Sequence, residues 1–294
     1  MPFVLPALLI YGIFMAAPLF LSLRLSFFEW DGLGPKVYVG LHNFTKLYSE
    51  SPWNERFFNA MENNFRFFVM VMVIQNIPAL LIAWLLYQNL PATKFFRNLF
   101  FIPVTVSIVM VGYIAKLMLN PLWGSFNKLM EGIGLDSLSR PWLGDPKTAL
   151  GVVAVVVAWQ YIGIPIVLFL SGMEGIPEEL LEAARVDGAG EFQVLHRILM
   201  PLLAPVIGIV AILTFIGNFT AFEIVYALQG TNAGPSYATD IFGTLFYRVS
   251  FGAMGSSQSQ MGLGAAIAAN MFLIIGLAVV IWLWYDRWAL RKLG

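Results

Sequence analysis

The most polar stretch in the second half of this chain lies at residues 176–201, between two long apolar runs. Its charged and small residues have the types and spacing of a helical surface that a partner in water can approach closely. The residues of this stretch that we single out are Glu182, Ala183, Ala184, Arg185, Asp187 and Gly188. We interpret the stretch as a surface that binds, and not as a site that breaks bonds.

Residues that could carry out covalent, metal or phosphate chemistry are scarce. The chain has no cysteine, which excludes disulfides and thiol catalysis, and its 2 histidines, His42 and His196, lie far apart. The sequence contains no Gly-rich phosphate loop of the Walker type, so we expect no ATP to bind here. Because no nucleophile–base arrangement is visible either, we predict that the chain is not an enzyme and holds no metal or cofactor of its own.

The composition indicates a membrane protein. Hydrophobic residues make up 59% of the 294 residues and charged residues only 12%, whereas a soluble domain carries roughly 25% charged residues. The formal net charge of +0 offers no argument for binding to nucleic acid. We therefore expect this chain to lie in a lipid membrane and not to bind nucleic acid.

Six stretches are long enough to span a membrane, which takes about 20 apolar residues. We predict an all-α polytopic membrane protein whose six transmembrane helices lie at roughly 3–24, 66–88, 99–119, 149–171, 201–228 and 262–285. Pro103 and Pro165 predict kinks in the third and fourth spans. Small residues such as Gly262 and Gly264 predict that the sixth span packs closely against another helix. A shorter helical run is predicted at 239–251.

The polar stretch at 176–201 reads as two helices with a sharp turn between them. Glu178 and Glu179 fall in a first helical turn, where acidic side chains complement the helix dipole. Asp187-Gly188 ends that helix, because glycine is the usual residue just past a helix end. A second helix is predicted over 191–200. Without further information, a solvated connector between two spans would explain the same pattern.

The order of residues within this stretch is more specific than its helices. The positions that match are, in chain order, Glu182-Ala183-Ala184, Gly188, Ile198, Leu199 and Pro201. Their spacing closely resembles the Glu-Ala-Ala loop of binding-protein-dependent ABC importer permeases. Met200 stands between Leu199 and Pro201, where that family usually has Leu-Pro adjacent.

The resemblance covers nearly the whole chain and is to permeases of the maltose and glycerol-3-phosphate type. Further segments that match are Gly40-Leu41-His42-Asn43-Phe44, Asn120-Pro121, Phe222-Glu223-Ile224-Val225-Tyr226 and Gly234-Pro235. Ala233 replaces a usual glycine, and the large outer domain of some maltose-type members has no room here.

The resemblance implies a fold, a location and a set of partners. It implies the type I ABC importer permease (MetI-like) architecture, as a single transmembrane domain over 1–294 in a prokaryotic plasma membrane. A second homologous permease, two ATP-binding subunits and an extracytoplasmic solute-binding protein would complete the transporter, with ATP and Mg bound by the partner ATPase. Counting lysines and arginines does not decide the orientation, but the resemblance places 176–201 in the cytoplasm as the coupling loop.

The resemblance also implies that the fourth and fifth spans contribute to a solute pathway. The candidates there are Trp159, Gln160, Tyr161, Asn218, Phe219, Thr220, Phe222 and Glu223. Asn218 is the leading candidate, with a hydrogen bond between helices as the alternative. For Glu223 we favour a helix-anchoring or gating role. Gln75 and Asn76 either line the pathway or bond a neighbouring helix, and we favour the latter.

Several functions remain open at this point. The first is import of a carbohydrate by the ABC mechanism, and the lack of cationic residues deep in the fourth and fifth spans favours a neutral sugar. The same mechanism could carry glycerol phosphate or another polar nutrient. A secondary transporter or channel would work without ATP, but such carriers often place paired ionisable residues at the membrane midplane. A membrane scaffold would leave the Glu-Ala-Ala pattern unexplained.

Overall fold

The computed structural model describes residues 4–88, 93–252 and 258–293, with side chains up to residue 286. The predicted single domain over 1–294 and the first predicted span at 3–24 therefore include a few positions outside the described residues. The described part is built almost entirely of helices. A two-stranded antiparallel hairpin pairs Phe28 with Tyr38 and Glu29 with Val37.

Three of the helices are long and apolar enough to cross a membrane by themselves. They are α1 (Leu5–Leu25), α3 (Trp53–Tyr87) and the greater part of α14 (Met261–Leu293). Within the described residues, three pairs of helices that meet at a bend pass the same test when each pair is counted as one span. These pairs are α4 (Thr93–Thr105) with α5 (Ile108–Met118), α7 (Ala149–Tyr161) with α8 (Gly163–Glu174), and α10 (Glu191–Leu202) with α11 (Ala204–Phe219). Counted as single spans, they complete the predicted six.

Shorter elements join these spans. They are β1 (Phe28–Glu29), β2 (Val37–Tyr38), α2 (His42–Ser49), α6 (Ser125–Gly132), α9 (Glu178–Val186), α12 (Glu223–Gln229) and α13 (Phe242–Phe251). The predicted run at 239–251 is therefore a helix that begins three residues later than expected.

Both predicted proline kinks are present in the structure. The third span bends by 91° just after the turn that contains Pro103, and the fourth bends by 49° between Tyr161 and Gly163. Proline removes a backbone donor, and its ring clashes with the carbonyl four residues earlier. For Pro165 that residue is Tyr161, which is where the helix breaks.

The fifth span differs from the prediction of one continuous helix at 201–228. Helix α11 ends at Phe219, and the chain resumes as α12 only at Glu223. Two tertiary contacts hold this break open. Asn64 Nδ2 donates a hydrogen bond to the Asn218 carbonyl at 2.9 Å, and Gly243 packs so closely on the Ala221 carbonyl that a side chain there would clash. Broken helices are tolerated in membranes where other groups satisfy the freed backbone.

The sixth span packs closely through its small residues, as predicted. Gly262 lies against the Phe28 carbonyl and Gly264 against the Ser250 hydroxyl, and an added Cβ at either position would overlap these atoms. The start of α14 is therefore fixed against both the hairpin and α13.

Candidate functional site

A cavity of about 580 Å³ opens where the breaks in the spans meet. It is bounded by α3, α5, the junction of α7 and α8, and the junction of α11 and α12. Its polar or small lining residues are Gln75, Tyr161, Thr214, Gly217, Asn218, Thr220 and Glu223, and the rest of the lining is apolar. Such a lining, mostly apolar with a few placed hydrogen-bonding groups, is typical of small-molecule sites.

Most of the predicted pathway residues line this cavity. They are Tyr161, Asn218, Thr220, Phe222 and Glu223. Gln160 and Phe219 do not: Gln160 is buried and donates to the Val106 carbonyl at 2.9 Å, and Phe219 is buried against Phe215 with ring centroids 4.2 Å apart. Trp159 is 56% exposed and lies away from the cavity lining. These three side chains were selected by their position in the sequence, and the rotation of each helix decides their surroundings.

Two side-chain atoms at the cavity lack hydrogen-bond partners within the described residues. They are the amide nitrogen Nδ2 of Asn218, a donor, and the amide oxygen Oε1 of Gln75, an acceptor. Both side chains are nearly buried, at 3% and 5% exposure. Because an unpaired buried polar group costs about 1–3 kcal/mol, each of these atoms would gain from a hydrogen-bond partner.

The adjacent Asn76 has the structural role that we favoured for it. Its Nδ2 donates to the Thr214 hydroxyl of the fifth span at 2.9 Å. Gln75 differs from this expectation, because it lines the cavity and its Nε2 reaches only the Asn76 side chain, at 3.2 Å. Its polarity inside an apolar run was the available sequence signal. Gln75 and Asn76 are neighbours that point to different sides of the helix, and the sequence does not show which of the two sides faces the cavity.

Glu223 is the only charged residue in the cavity lining within the described part of the chain. It is exposed and begins α12, where a carboxylate complements the helix dipole. None of the ion pairs among the described residues includes it. Glu223 therefore gives the described cavity lining a hydrogen-bond acceptor with a negative charge.

The predicted coupling loop has the expected helix–turn–helix form. Helix α9 ends at Val186, Asp187 caps it, and Gly188 takes the left-handed backbone conformation with φ +81°. Arg185 Nε contacts Glu191 Oε1 at 3.3 Å across the turn. Of the predicted coupling residues, Ala184 is half-buried and the other five are exposed.

The loop is anchored on one side and open on the other. Leu181 and Val194 are each 2% exposed and pack into the end of the helical bundle, whereas Val186 is 87% and Phe192 is 71% exposed. Large apolar side chains at such exposure, beside charged residues, are typical of a surface that another protein covers.

No residue pattern predicts the buried ion pair that the structure contains in the segment at 229–251. The Asp240 carboxylate is fully buried and accepts hydrogen bonds from Arg248 and from the Thr244 hydroxyl, the latter at 2.7 Å. Burial raises the pKa of the Asp240 carboxyl, while the hydrogen bond and charge of Arg248 oppose that rise. Arg248 also donates to the Thr231 carbonyl at 3.0 Å and lies over the Tyr237 ring. The pair thus fixes the conformation of the segment between α12 and α13.

Comparison with known proteins identifies the class. Residues 64–289 match the family described as binding-protein-dependent transport system inner membrane component, and the chain belongs to this family. The chain is 35% identical to the probable ABC transporter permease protein YurN of Bacillus subtilis, with 94% of this chain and 91% of the relative covered. It is 31% identical to the multiple sugar-binding transport system permease protein MsmF of Streptococcus mutans, with 95% and 92% covered.

Solved structures share the fold at lower sequence identity. A bacterial ABC transporter chain involved in import of the acidic polysaccharide alginate superposes with a TM-score of 0.80 at 22% identity, covering 99% of this chain and 94% of that chain. A chain of the alginate transporter in complex with a pentasaccharide-bound periplasmic protein also gives 0.80, at 21% identity, covering 96% and 91%. The predicted permease fold and multi-pass membrane location are thereby confirmed. The roles of individual site residues stay predictions.

Proposed function

We propose that this chain forms half of the passage through which an ABC importer moves a neutral carbohydrate into the cell. The observation that carries the proposal is the cavity at the helix breaks, which is lined by Asn218 and Gln75, two residues whose buried donor and buried acceptor lack partners among the described residues. Sugar hydroxyls both donate and accept, so one solute can satisfy both groups.

The charge of the cavity separates the candidate solutes. Lysine, arginine and histidine are missing from its described lining, and Glu223 carries a negative charge. A phosphorylated solute would be repelled by this surface, whereas a neutral sugar would use the carboxylate as a hydrogen-bond acceptor. The names of related permeases point the same way, since MsmF is named for multiple sugars and XacH of Haloferax volcanii, 30% identical, for xylose and arabinose.

An ATP-independent carrier fits the same cavity less well. Carriers driven by ion gradients often use paired ionisable residues within the membrane, and neither a basic residue nor a second acidic residue accompanies Glu223 in the described cavity lining. The exposed coupling loop would also have no use in such a carrier.

In the proposed importer the chemistry of ATP belongs to the partners. The loop at 176–201 docks on one of two ATP-binding subunits, which bind ATP and Mg, while a second homologous permease completes the passage. An extracytoplasmic binding protein supplies the solute. ATP and the loaded binding protein then favour the same conformation of a two-state permease pair, so that nucleotide binding and solute release are linked through the loop.

The solute role of Asn218 is tested by Asn218→Ala, with Asn76→Ala as the matched control. Both amides are nearly buried, at 3% and 6% exposure, but only Asn218 lines the cavity. The complex is purified with its own partners, reconstituted in proteoliposomes, and supplied with radiolabelled xylose, arabinose and their oligosaccharides. We expect Asn218→Ala to slow saccharide uptake per ATP hydrolysed, while Asn76→Ala lowers thermal stability and leaves that ratio unchanged.

Three results would contradict parts of the proposal. Unchanged transport by Asn218→Ala would indicate that this residue contributes to helix packing and not to solute binding. A wild-type complex that hydrolyses ATP in response to a phosphorylated solute, and to none of the saccharides, would replace the solute class. Mass spectrometry of proteins that co-purify with the chain in mild detergent tests the partners, and a chain that purifies alone and transports without ATP would overturn the importer itself.

A further inference from the structure

Four aromatic side chains form a continuous row that begins at the cavity. Phe222 lines the cavity, and its ring lies 5.3 Å from that of Tyr226 and 4.9 Å from that of Tyr247, measured between centroids. Tyr247 in turn lies 5.3 Å from Phe251. Phe222 and Tyr226 belong to the start of α12 and Tyr247 and Phe251 to α13, so two helices build one row.

This row differs from the aromatic core of the bundle. The core cluster of Phe57, Phe215, Phe219 and Phe242 is buried, with exposures of 8% or less. In the row, by contrast, Phe222, Tyr226 and Tyr247 are half-buried, and Phe251 is 56% exposed. The row therefore has accessible ring surface that packing within this chain does not use.

The two tyrosines add polar groups to this surface. Neither the Tyr226 nor the Tyr247 hydroxyl has a hydrogen-bond partner among the described residues, although each can donate and accept. A pyranose or furanose ring has an apolar face of C–H groups and a rim of hydroxyls. Aromatic rings with free hydroxyls at their edge match both parts of a sugar, whereas a purely apolar partner helix would leave the hydroxyls unpaired.

We propose that Phe222, Tyr226, Tyr247 and Phe251 form a saccharide track, on which successive sugar rings of the solute stack as they move into the cavity. The proposal rests on the carbohydrate function proposed above and extends it along the chain's own surface. Helix α12 starts at the cavity, and the three rings after Phe222 lie outside the cavity lining, so the row leads away from the cavity. The track would favour solutes of several linked rings, because each added ring contacts a further aromatic side chain.

The test replaces rings along the track and varies the length of the sugar. Phe251→Leu is the principal variant, because this side chain is largely exposed and its replacement leaves the core unchanged; Tyr247→Leu and Tyr226→Leu follow. Tyr226→Phe and Tyr247→Phe keep the rings and remove the hydroxyls. Tyr113→Leu is the matched control, since Tyr113 is 52% exposed on α5 and lies outside the row. The complex with its own partners is assayed for ATP-driven uptake of radiolabelled mono-, di-, tri- and tetrasaccharides of arabinose and glucose.

We expect each leucine variant to slow uptake of tri- and tetrasaccharides by about 3- to 10-fold, which corresponds to about 0.7–1.4 kcal/mol and is the size expected for one lost aromatic contact. Monosaccharide uptake and ATP hydrolysis without solute should stay within about twofold of the wild type, as should all activities of Tyr113→Leu. The phenylalanine variants should show smaller losses with the same dependence on sugar length.

Two outcomes would overturn the track while leaving the carbohydrate function intact. Uptake that falls equally for all sugars, together with altered ATP hydrolysis in the absence of solute, would show that the row packs against the second permease as a gate. Normal tetrasaccharide uptake in Phe251→Leu and Tyr247→Leu would show that the rings do not contact the solute. If the wild-type complex carries no saccharide and responds to another solute class, the carbohydrate function fails first and the track with it.

Discussion

The two polar segments at either end of the fifth span are built in opposite ways. The coupling segment (176–201) has exposed charges and an exposed tip, where Val186 is 87% accessible, and it is held mainly by a few leucines and Val194. The outer segment (229–251) has its charges inside: Asp240 is fully buried and Arg248 is 4% exposed. The charged groups of the coupling segment stay available to a partner, whereas those of the outer segment bond to each other within the chain.

This difference indicates which contacts determine the conformation of each segment. The outer segment is connected to α3 through Asn63 and Asn64, whose amides bond the Asp240 carbonyl at 3.0 Å and the Phe242 N–H at 2.7 Å. It can therefore hold the wall of the cavity without help from another protein. The coupling segment has one ion pair across its turn, between Arg185 and Glu191. The coupling function that we propose for it, as a moving contact, favours a surface that is not committed to internal bonds.

The buried ion pair should give the largest effect on stability. Arg248→Met leaves the Asp240 carboxylate buried without its cation, and we expect it to lower the free energy of unfolding by about 3–5 kcal/mol. Arg66→Met is the control, because the Arg66–Glu62 pair is about 60% exposed on each side, and such pairs contribute at most about 1 kcal/mol. Thermal unfolding in detergent measures both. Equal losses would contradict the view that burial distinguishes the outer segment.

A somewhat smaller loss is expected at Asn64. Its side chain bonds both the Asn218 carbonyl and the Phe242 N–H, so Asn64→Leu leaves two backbone groups unpaired. Each of these groups that finds no water partner should lower the free energy of unfolding by about 1–3 kcal/mol. Asn59→Leu on the same helix removes one bond to the Tyr237 carbonyl, which Asn63 also reaches. Thermal unfolding should rank Asn64→Leu as clearly the more damaging, and the reverse ranking would remove Asn64 as the link to the outer segment.

In the coupling segment the effect should be on transport and not on folding. Gly188→Asp places a side chain at φ +81°, where a non-glycine residue costs about 1–2 kcal/mol, and puts a charge on the docking surface. We expect it to lower ATP-driven uptake more than about tenfold, while the protein still inserts in the membrane. Gly190→Asp is the control, because its φ of −73° suits aspartate as a helix cap. Normal uptake by Gly188→Asp would reject the coupling assignment.

The smallest change in stability is expected at the exposed tip of the coupling segment. Val186→Ser should alter the free energy of unfolding by no more than about 0.5 kcal/mol, because the side chain is 87% exposed. Retention of the ATP-binding subunit during purification should nevertheless fall. Leu33→Ser, at 83% exposure beyond the first span, should change neither property. Full retention by Val186→Ser would indicate that the partner covers a different face.

Much of the architecture could be predicted from local sequence. The spans follow from runs of apolar residues, and the kinks from Pro103 and Pro165, because proline removes a backbone donor whatever surrounds it. The turn at Gly188 follows equally from one residue type. Within the cavity, Asn218 could be selected because an amide deep in an apolar run needs a partner or a solute.

Other features required contacts between distant parts of the chain. The break at 220–222 depends on Asn64 and Gly243, which lie far from it in sequence. The different roles of Gln75 and Asn76, and the burial of Gln160 against Val106, depend on the rotation of helices about their axes. The composition of an apolar run does not specify that rotation when the whole circumference is apolar.

The sequence by itself determined that this is a multi-pass membrane protein with two proline kinks and a glycine turn, because hydrophobic length, proline and glycine act through the backbone within a few residues. Its permease class was indicated by the resemblance of its motifs to that family. Only the tertiary structure decided which polar groups meet in the cavity, that Asp240 is neutralised by Arg248, and that four aromatic rings from two helices form one row. These depend on helix packing, where side chains far apart in the chain share one small volume and must satisfy each other's charges and hydrogen bonds.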